Sequence, residues 1–462
     1  MRVVECDGSA ASALLVAEAL AEALAGGPAV LPVPDAPAAE RDRLIAAARP
    51  ELGSAAAVLV ATSGSGGEVK LVELPAVALV ASAEATLERL GGPGGWLLAL
   101  PVRHIAGLQV LVRSIVAGTE PAVLDLRGGF RPEAFAAAAR DLPSHACGDL
   151  PNHTCGDTPS VSSGDVAGFA PGSRRRYTAL VPTQLVRLLR AGGPALDALR
   201  GFDAVLVGGA ATPPELVGRA RAAGVRIVTT YGMTETAGGC VYDGRPLRGV
   251  RVRLDGERRI HLGGPTLAAG YRLRPDLTAA AFAGGWFRSG DVGRLFPDGT
   301  LEVQGRVDDV IVTGGRKVAA VVVERALDAS PDIAESCVVG LPDPGWGELV
   351  AAAVVPSPGA APDLDALRAG VREVAGREAV PKFVAILDEL PRRGIGKIDR
   401  DAVRRHLAER HAHRVGSGAP RRADPAPADP APAASGPGDP GSAASAPGDP
   451  APADPVPGNP AG

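Results

Sequence analysis

Short apolar runs alternate with longer stretches of helical periodicity through most of the first 240 positions. WLLAL at 96–100 precedes a helical pattern from about Ile105, PAVLDL at 121–126 one from about Pro132, and TALVP at 178–182 one over Thr183–Arg190. DAVLVGG at 203–209 precedes Pro213–Ala222, and VRIVTT runs into a turn at YGMTE, 231–235. This alternation predicts parallel βαβ units, whose ligand sites lie at the carboxyl ends of the strands. From Val250 to Val312 the pattern changes to short strands and turns. After Asp308 it predicts a smaller α+β unit: a helix over Val321–Ala329, strands near Cys337 and Val350, a helix near Leu364, the strand KFVAIL and a last helix to about His411.

Two segments break the pattern. Residues 143–176 are polar and rich in Gly, Pro and Ser, and repeat HACGD (145–149) as HTCGD (153–157). His145, Cys147, His153 and Cys155 are zinc-type ligands without the spacing of a closed site, so a duplicated surface insertion is the better reading. Residues 414–462 are largely Ala, Pro, Gly, Ser and Asp with no aromatic, a composition that cannot bury enough apolar surface to order itself.

A chain of 462 residues has room for two or three domains. With 46% hydrophobic residues, 3% aromatics and 60 glycines, its core is packed by Ala, Val and Leu. A net charge of −4 gives no general attraction to nucleic acid or anionic membranes. Ala10–Leu24 carries Glu18 and Glu22 at helical spacing and reads as an amphipathic helix, not a signal peptide. No apolar run reaches the roughly 18 residues of a membrane span. Five scattered cysteines (6, 147, 155, 240, 337) make no disulfide framework, and a cytoplasmic location is expected. Oligomeric state stays open, a homo-oligomer included.

The richest stretch chemically is WFRSGDVGRLFPDGTLEVQGRVDDVIVTGGRK, 286–317. A carboxylate such as Asp291 accepts two hydrogen bonds at once and so suits the two hydroxyls of a ribose. Arg306 nearby suits the same nucleotide, and Gly314–Gly315 lets a thin ligand approach the backbone. TSGSGGEVK at 62–70 wraps phosphates with backbone N–H groups and short hydroxyls, although it is not a Walker A loop. YGMTE delivers an aromatic, a hydroxyl and a carboxylate at one strand end, where a base, a phosphate and Mg²⁺ can be met together. LPRRGIGKIDR at 390–400 sets Lys397 in a glycine-flanked loop free to swing.

Together and in this order, from about residue 56 to 408, these stretches resemble the adenylate-forming superfamily of acyl-CoA synthetases, peptide-synthetase adenylation domains and luciferases. The resemblance implies an α/β fold with a large N-terminal domain of mostly parallel αβ layers plus a small β-subdomain (1–307). A hinge joins it to a small, mobile α+β domain (308–413). It implies ATP and CoA as co-substrates and Mg²⁺ as cofactor. Carried over by motif, Thr62, Ser63, Gly64, Ser65, Gly66, Gly67 and Lys70 form the phosphate loop. Gly208, Gly209 and Ala210 lie along the adenine, with Tyr231 stacked on it and Gly232 and Met233 beside it. Thr234 contacts the α-phosphate, Glu235 holds Mg²⁺, Asp291 with Arg306 binds the ribose, Asp308 is the hinge and Lys397 bridges carboxylate and α-phosphate. Gly314 and Gly315 border the CoA tunnel, and PDPGWGE at 342–348 resembles the loop that faces the site in the thioester-forming state. Gly66 and Val69 depart from the family's usual Thr and Pro, which leaves the loop one hydroxyl short.

Four further stretches, LPVRHIAGLQVLVRS (100–114), LVPTQLVRLL (180–189), TYGMTETAGGCVYDG (230–244) and IHLGGPTLAAGYR (260–272), are similar to one branch of the superfamily. That branch, here in its short actinobacterial form, makes the CoA thioester of o-succinylbenzoate for menaquinone biosynthesis. Such a small aromatic dicarboxylic acid has a second carboxylate that needs a cation, since burying it unpaired is costly. The resemblance assigns this to Arg113, with His104 shaping the pocket and Thr183 and Gln184 adding hydrogen bonds. On residue type alone, a solvated Arg113 and a structural His104 stand equally open. Rival readings are an acyl-CoA synthetase for another aromatic or medium-chain acid, a stand-alone adenylation domain serving a carrier protein, and a non-catalytic scaffold. Deleting residues 415–462 is expected to leave turnover and thermal stability close to those of the full chain, as activity assays and calorimetry would show.

Overall fold

The computed structural model describes residues 1–63, 69–142, 175–393 and 397–416. Two sheets form the N-terminal part. In the first, Arg2–Cys6, Val30–Pro34 and Val58–Ser63 run parallel, and Val69–Leu74 turns back antiparallel on the last of them before Gly270–Tyr271 closes the edge. In the second, Ala122–Val123, Gly94–Leu98, Arg175–Leu180, Ala204–Val207 and Ile227–Met233 are parallel neighbours, followed by antiparallel Gly238–Tyr242 and Arg245–Pro246.

Helices fill the space between and outside these sheets. Ala10–Leu24, Ala76–Leu90 and Ile105–Ala117 share one buried cluster with Val4, Val30, Val58 and Val72 of the first sheet and Trp96, Leu98, Tyr177 and Leu206 of the second. The far face of the second sheet packs Leu97, Leu180, Val205 and Val207 against Phe135, Leu185, Leu199 and Leu216 of four further helices. Strands covered on both faces need apolar residues at every position, which is why AVLV and TALV show no alternation. The first helix spans Ala10–Leu24 as expected, capped by the Ser9 hydroxyl at Ser12 N–H, 3.1 Å.

A small antiparallel sheet follows, ordered Arg251–Leu254, Arg259–Gly263, Trp286–Leu295 and Phe282–Ala283, with Leu301–Arg306 on the long strand. Beyond it lies a sheet of Arg316–Ala319, Val310–Thr313, Gly347–Pro356, Ile333–Asp343 and Phe383–Ile386. One face buries Val338, Val350 and Val354 against the Ala320–Asp328 and Leu364–Ala375 helices, the other Cys337, Val339 and Ala351 against Val403 and Leu407 of the last helix. These cores are separate from those of the N-terminal part. The last helix runs over Arg400–Gly416, three residues into the segment assigned to the tail. Its continuation follows from HLAERHAHR, good helix formers that carry the pattern past His411.

Asp328 ends the Ala320–Asp328 helix, and burial pushes its carboxyl up to about 7. A hydrogen bond with Ser336 opposes the shift, while Glu324, Glu335 and Glu215 of the Pro214–Ala222 helix reinforce it. A carboxyl raised in the folded state favours folding while protonated, so this stability is present below about pH 4 and is lost as pH rises towards 7. Asp328→Asn should therefore stabilise the protein at pH 8, by about 1–3 kcal/mol, and change little at pH 4, as paired urea melts would show.

Candidate active site

The carboxyl ends of Arg175–Leu180, Ala204–Val207 and Ile227–Met233 converge where the second sheet changes from parallel to antiparallel. Gly208 and Gly209 leave Ala204–Val207 there. A Cβ on Gly208 would run into the Thr230 hydroxyl, and Gly209 has φ +79°, so only bare backbone fits against the neighbouring strand. Gly209 and Ala210 are exposed, a flat shelf beside Tyr231.

Tyr231 stands at Ile227–Met233, and its hydroxyl donates to Asp291 Oδ2 at 2.8 Å. Asp291 Oδ1 accepts from Arg306 Nη1 at 3.4 Å. The two residues are direct cross-strand partners in the small sheet, and Gly290 makes room: a Cβ there would lie 2.7 Å from Arg306 Nη2. Asp291 is 9% exposed and its N–H is held by the Ser289 hydroxyl at 3.1 Å. Burial first, then the Asp291 charge, keeps the Tyr231 phenol protonated far above its ordinary range.

After Met233 the chain makes a tight turn over Thr234–Thr236. Thr236 Oγ1 accepts from Met233 N–H (3.0 Å) and donates to Gly238 O (2.8 Å), and Ala237 is held at φ +50°. Left-handed backbone at a non-glycine residue is local strain, stored where orientation matters. Gly232 is obligatory because a Cβ would run into the Gly238 carbonyl. The turn buries Thr234 and leaves Glu235 half-buried, its Oε1 accepting from the Tyr271 hydroxyl at 2.9 Å. Burial and the Glu235 charge raise the Tyr271 phenol in turn.

The sequence assigns no role to Tyr271, although it is the penultimate residue of IHLGGPTLAAGYR. Besides holding Glu235, its ring lies 5.5 Å from the Lys70 ammonium. Thr62 and Lys70 face each other across the antiparallel pair Val58–Ser63/Val69–Leu74, with Thr62 Oγ1 3.4 Å from Lys70 O. The two strands that flank the expected phosphate loop are thus paired at Thr62 and Lys70, and the second of them pairs through Val72 with Tyr271. Gly64, Ser65, Gly66, Gly67 and the Ser63 side chain lie outside the described residues, as do residues 143–174 with the four zinc-type ligands. Among the described residues no cluster of three or more His, Cys, Asp or Glu side chains forms a metal site. One carboxylate beside a hydroxyl and a phosphate loop does fit Mg²⁺, which is commonly held by one or two carboxylates and the substrate's own phosphates.

His104 is the N-cap of Ile105–Ala117, half-buried, with its N–H on Pro101 O at 3.2 Å. Gly107 lets that helix start sit on Pro101, since a Cβ there would strike the Pro101 carbonyl. Arg113, on the same helix, is 3% exposed and excludes the solvated alternative. Its Nη2 donates to Tyr242 Oη at 3.3 Å and its guanidinium lies 5.1 Å from the Trp96 ring. Tyr242 meets Thr86 Oγ1 at 3.0 Å, and Thr86 donates to Ser82 O at 2.8 Å. Among the described residues no carboxylate pairs with Arg113, and its Nε and the Oε1 of Gln109, one turn earlier, have no hydrogen-bond partner. Burial depresses its pKa.

Gln184 is engaged within the fold. Its Oε1 caps the Pro182–Ala191 helix by accepting Val181 N–H at 3.0 Å, and its Nε2 donates to Ala99 O at 2.9 Å, so both ends of the amide are used. Thr183 beside it is half-buried. In the C-terminal part, Gly314 and Gly315 (φ +55° and +74°) form the two-residue turn of the Val310–Thr313/Arg316–Ala319 hairpin. Gly314 N–H donates to Trp346 O at 2.9 Å, and the Trp346 ring carries the Lys382 ammonium at 4.9 Å. Asp308 is exposed, 3.6 Å from Arg306 Nη2. Lys397 pairs with Arg393 in a two-stranded hairpin, so the lysine sits on a strand and not in a freely swinging loop.

Known proteins resemble this chain in sequence and in fold. Residues 165–276 match the family described as AMP-binding enzyme, and residues 322–397 match the AMP-binding enzyme C-terminal domain. A probable 2-succinylbenzoate–CoA ligase of Mycobacterium tuberculosis is 42% identical over 416 residues, covering 88% of this chain and 99% of its own. The amide bond synthetase of Marinactinospora thermotolerans superimposes with a TM-score of 0.67 at 25% identity over 88% of this chain and 96% of its own. The o-succinylbenzoate CoA synthetase of Bacillus subtilis, solved with its acyl-adenylate, shares the fold with a TM-score of 0.65 at 21% identity, over 87% and 94% of the two chains. The chain belongs to the adenylate-forming family of AMP-binding enzymes, and within it to the acid–CoA ligases.

Gln184→Ala should cost about 1–2 kcal/mol of stability through the lost cap. Turnover per folded molecule should stay within about threefold, and a drop beyond about tenfold at unchanged fold, measured by steady-state kinetics beside urea titration, would return Gln184 to the substrate pocket.

Proposed function

We propose that the enzyme activates o-succinylbenzoate with MgATP and transfers it to CoA, as an o-succinylbenzoate–CoA ligase supplying menaquinone biosynthesis. The observation that carries the substrate is Arg113, a cation buried without a carboxylate among the described residues. Leaving such a charge unpaired costs several kcal/mol, and a buried anion from outside the chain offsets that cost. Helical side chains lean towards the N-terminus, and Arg113 shares a helix face with Gln109 and Ile105, both packed near Gly238 beside the Thr234–Thr236 turn and up to about 12 Å away along the axis. A small aromatic diacid spans much of that gap, one carboxylate at the catalytic turn and the other at Arg113. The 42% identity to a probable 2-succinylbenzoate–CoA ligase supports the same reading.

The chemistry runs in two halves. A succinyl carboxylate oxygen attacks the α-phosphorus of ATP, the bond to pyrophosphate breaks, and an acyl-adenylate forms. Asp291 and Arg306 hold the ribose, Gly208–Ala210 and Tyr231 the adenine, with Gly232 and Met233 beside it. Thr234 and the loop from Thr62 to Lys70 hold the phosphates. Glu235, fixed by Tyr271, would hold Mg²⁺, which when bound screens phosphate charge. Lys397 neutralises the charge developing between carboxylate and phosphate. The CoA thiol, having lost its proton to solvent, then attacks the acyl carbon and AMP leaves. Rotation after Asp308 separates the halves by withdrawing Lys397 and opening the path past Gly314–Gly315. Cys6, Cys240 and Cys337 are free and buried, which fits a reducing cytoplasm, and among the described residues no helix is long and apolar enough to cross a membrane.

Pyrophosphate release across a panel of acids, with and without CoA, tests the reading. Arg113→Ala should lower kcat/KM for o-succinylbenzoate by about 30- to 1000-fold, equivalent to roughly 2–4 kcal/mol. An analogue lacking the ring carboxylate should react poorly with wild type and lose little more in the mutant, because both changes remove one contact. Additive losses would remove Arg113 from the pocket, and a wild type indifferent to the ring carboxylate would assign a different acid.

A further inference from the structure

The first residue of the last helix, Arg400, lies three positions after Lys397, and every edge of its guanidinium is engaged. Nη1 and Nη2 grip Glu324 Oε1 and Oε2 at 2.7 and 2.8 Å, Nη1 also donates to Val338 O at 2.9 Å, and Nε faces Asp309 Oδ2 at 3.2 Å. Glu324 is 8% exposed and takes Val338 N–H at 2.8 Å as well. Two carboxylates hold Arg400 charged well above its ordinary range against the pull of burial. The cluster joins the Ala320–Asp328 helix, the Ile333–Asp343 strand, the turn Val307–Asp309 and the base of the lysine hairpin.

That hairpin is fastened on both flanks. Arg392 grips both oxygens of Glu335 at 2.6 and 2.5 Å, Asp399 N–H closes onto Pro391 O at 2.8 Å, and Asp399 Oδ1 caps the last helix at Ala402 N–H, 3.0 Å. Two neighbouring aspartates face opposite ways. Asp308 faces Arg306, which is joined to Asp291 at the ribose position, whereas Asp309 faces Arg400.

We propose that Arg400 is a positioning residue for the adenylation half-reaction: through Asp309 it ties the lysine hairpin to the turn that follows Asp308. Any rotation at that turn is then delivered to Lys397 without slack. A misplacement of about 1 Å in a reacting group costs on the order of 100-fold in rate, so the tie acts on the half-reaction that uses the lysine. Lysine cannot replace Arg400, because an ammonium does not span two carboxylates and a carbonyl in one plane. The inference rests on the role given to Lys397 under Proposed function.

Asp309→Asn in the full chain is the gentler variant, since Glu324 keeps its partner, and Arg400→Lys is the harsher one. ATP–pyrophosphate exchange reads the first half, and thioester formation from pre-made acyl-adenylate reads the second. Asp309→Asn should slow the first half on the order of 10- to 100-fold, with KM for ATP and the second half each within about threefold. Arg400→Lys, if folded, should show the same split more strongly. Equal losses in both halves would make the cluster merely structural and overturn the proposal. So would an unchanged first half in Asp309→Asn while Lys397→Ala abolishes it. A Lys397→Ala variant with an intact first half would refute the lysine's role itself, and the tie with it.

Discussion

The site depends above all on one carboxylate held between two sheets. Asp291 belongs to the small antiparallel sheet, yet its Oδ2 is fixed by Tyr231 of the large parallel sheet and its Oδ1 by Arg306 across its own strand pair. The contact adds a polar tie to the apolar one that Ile260, Leu262, Phe287 and Leu301 make with Cys240, Val241 and Tyr242. Nearly buried, the acid is costly to desolvate and cheap to keep only while both donors stay in place. Through Arg306 the same charge reaches Asp308, so the carboxylate proposed to hold the ribose and the start of the C-terminal part are joined by one chain of contacts.

Arg113 obeys the opposite rule. It is buried with no carboxylate partner among the described residues, donating to Tyr242, which in turn meets Thr86, and lying over the Trp96 ring. A cation in that condition is a standing cost to the fold; in the substrate role proposed for it, a neutral acyl chain would keep the cost unrelieved, whereas an anionic one would remove it.

Much of this was readable in the chain. The apolar runs from Trp96 to Thr230 locate the parallel strands because strands buried on both faces leave an unmistakable pattern, and YGMTE sits at the end of one as expected. The strands Arg2–Cys6 and Val30–Pro34 escape notice because RVVEC is short and VLPVP is broken by proline. Tyr271 and Arg400 act through partners 36 and 76 residues away, and no local spacing encodes such pairings. Gln184 misleads for the reverse reason. A helix cap and a substrate donor ask for the same amide, and only the two carbonyl and amide partners at Val181 and Ala99 separate them.

The scarcity of aromatic residues has a spectroscopic side. The chain has three tryptophans. Trp96 lies under Arg113 in the buried cluster between the two large sheets, Trp286 under Arg253 on the small sheet, and Trp346 under Lys382 beside the Gly314–Gly315 turn. Each indole therefore has a positive charge over its face, and indole emission shifts with such local fields. The protein carries its own fluorophores at three structurally different places, few enough that removing two leaves a single reporter. Changes around Arg113, in the small sheet and at the C-terminal hairpin thus have separate optical signatures built into the native sequence.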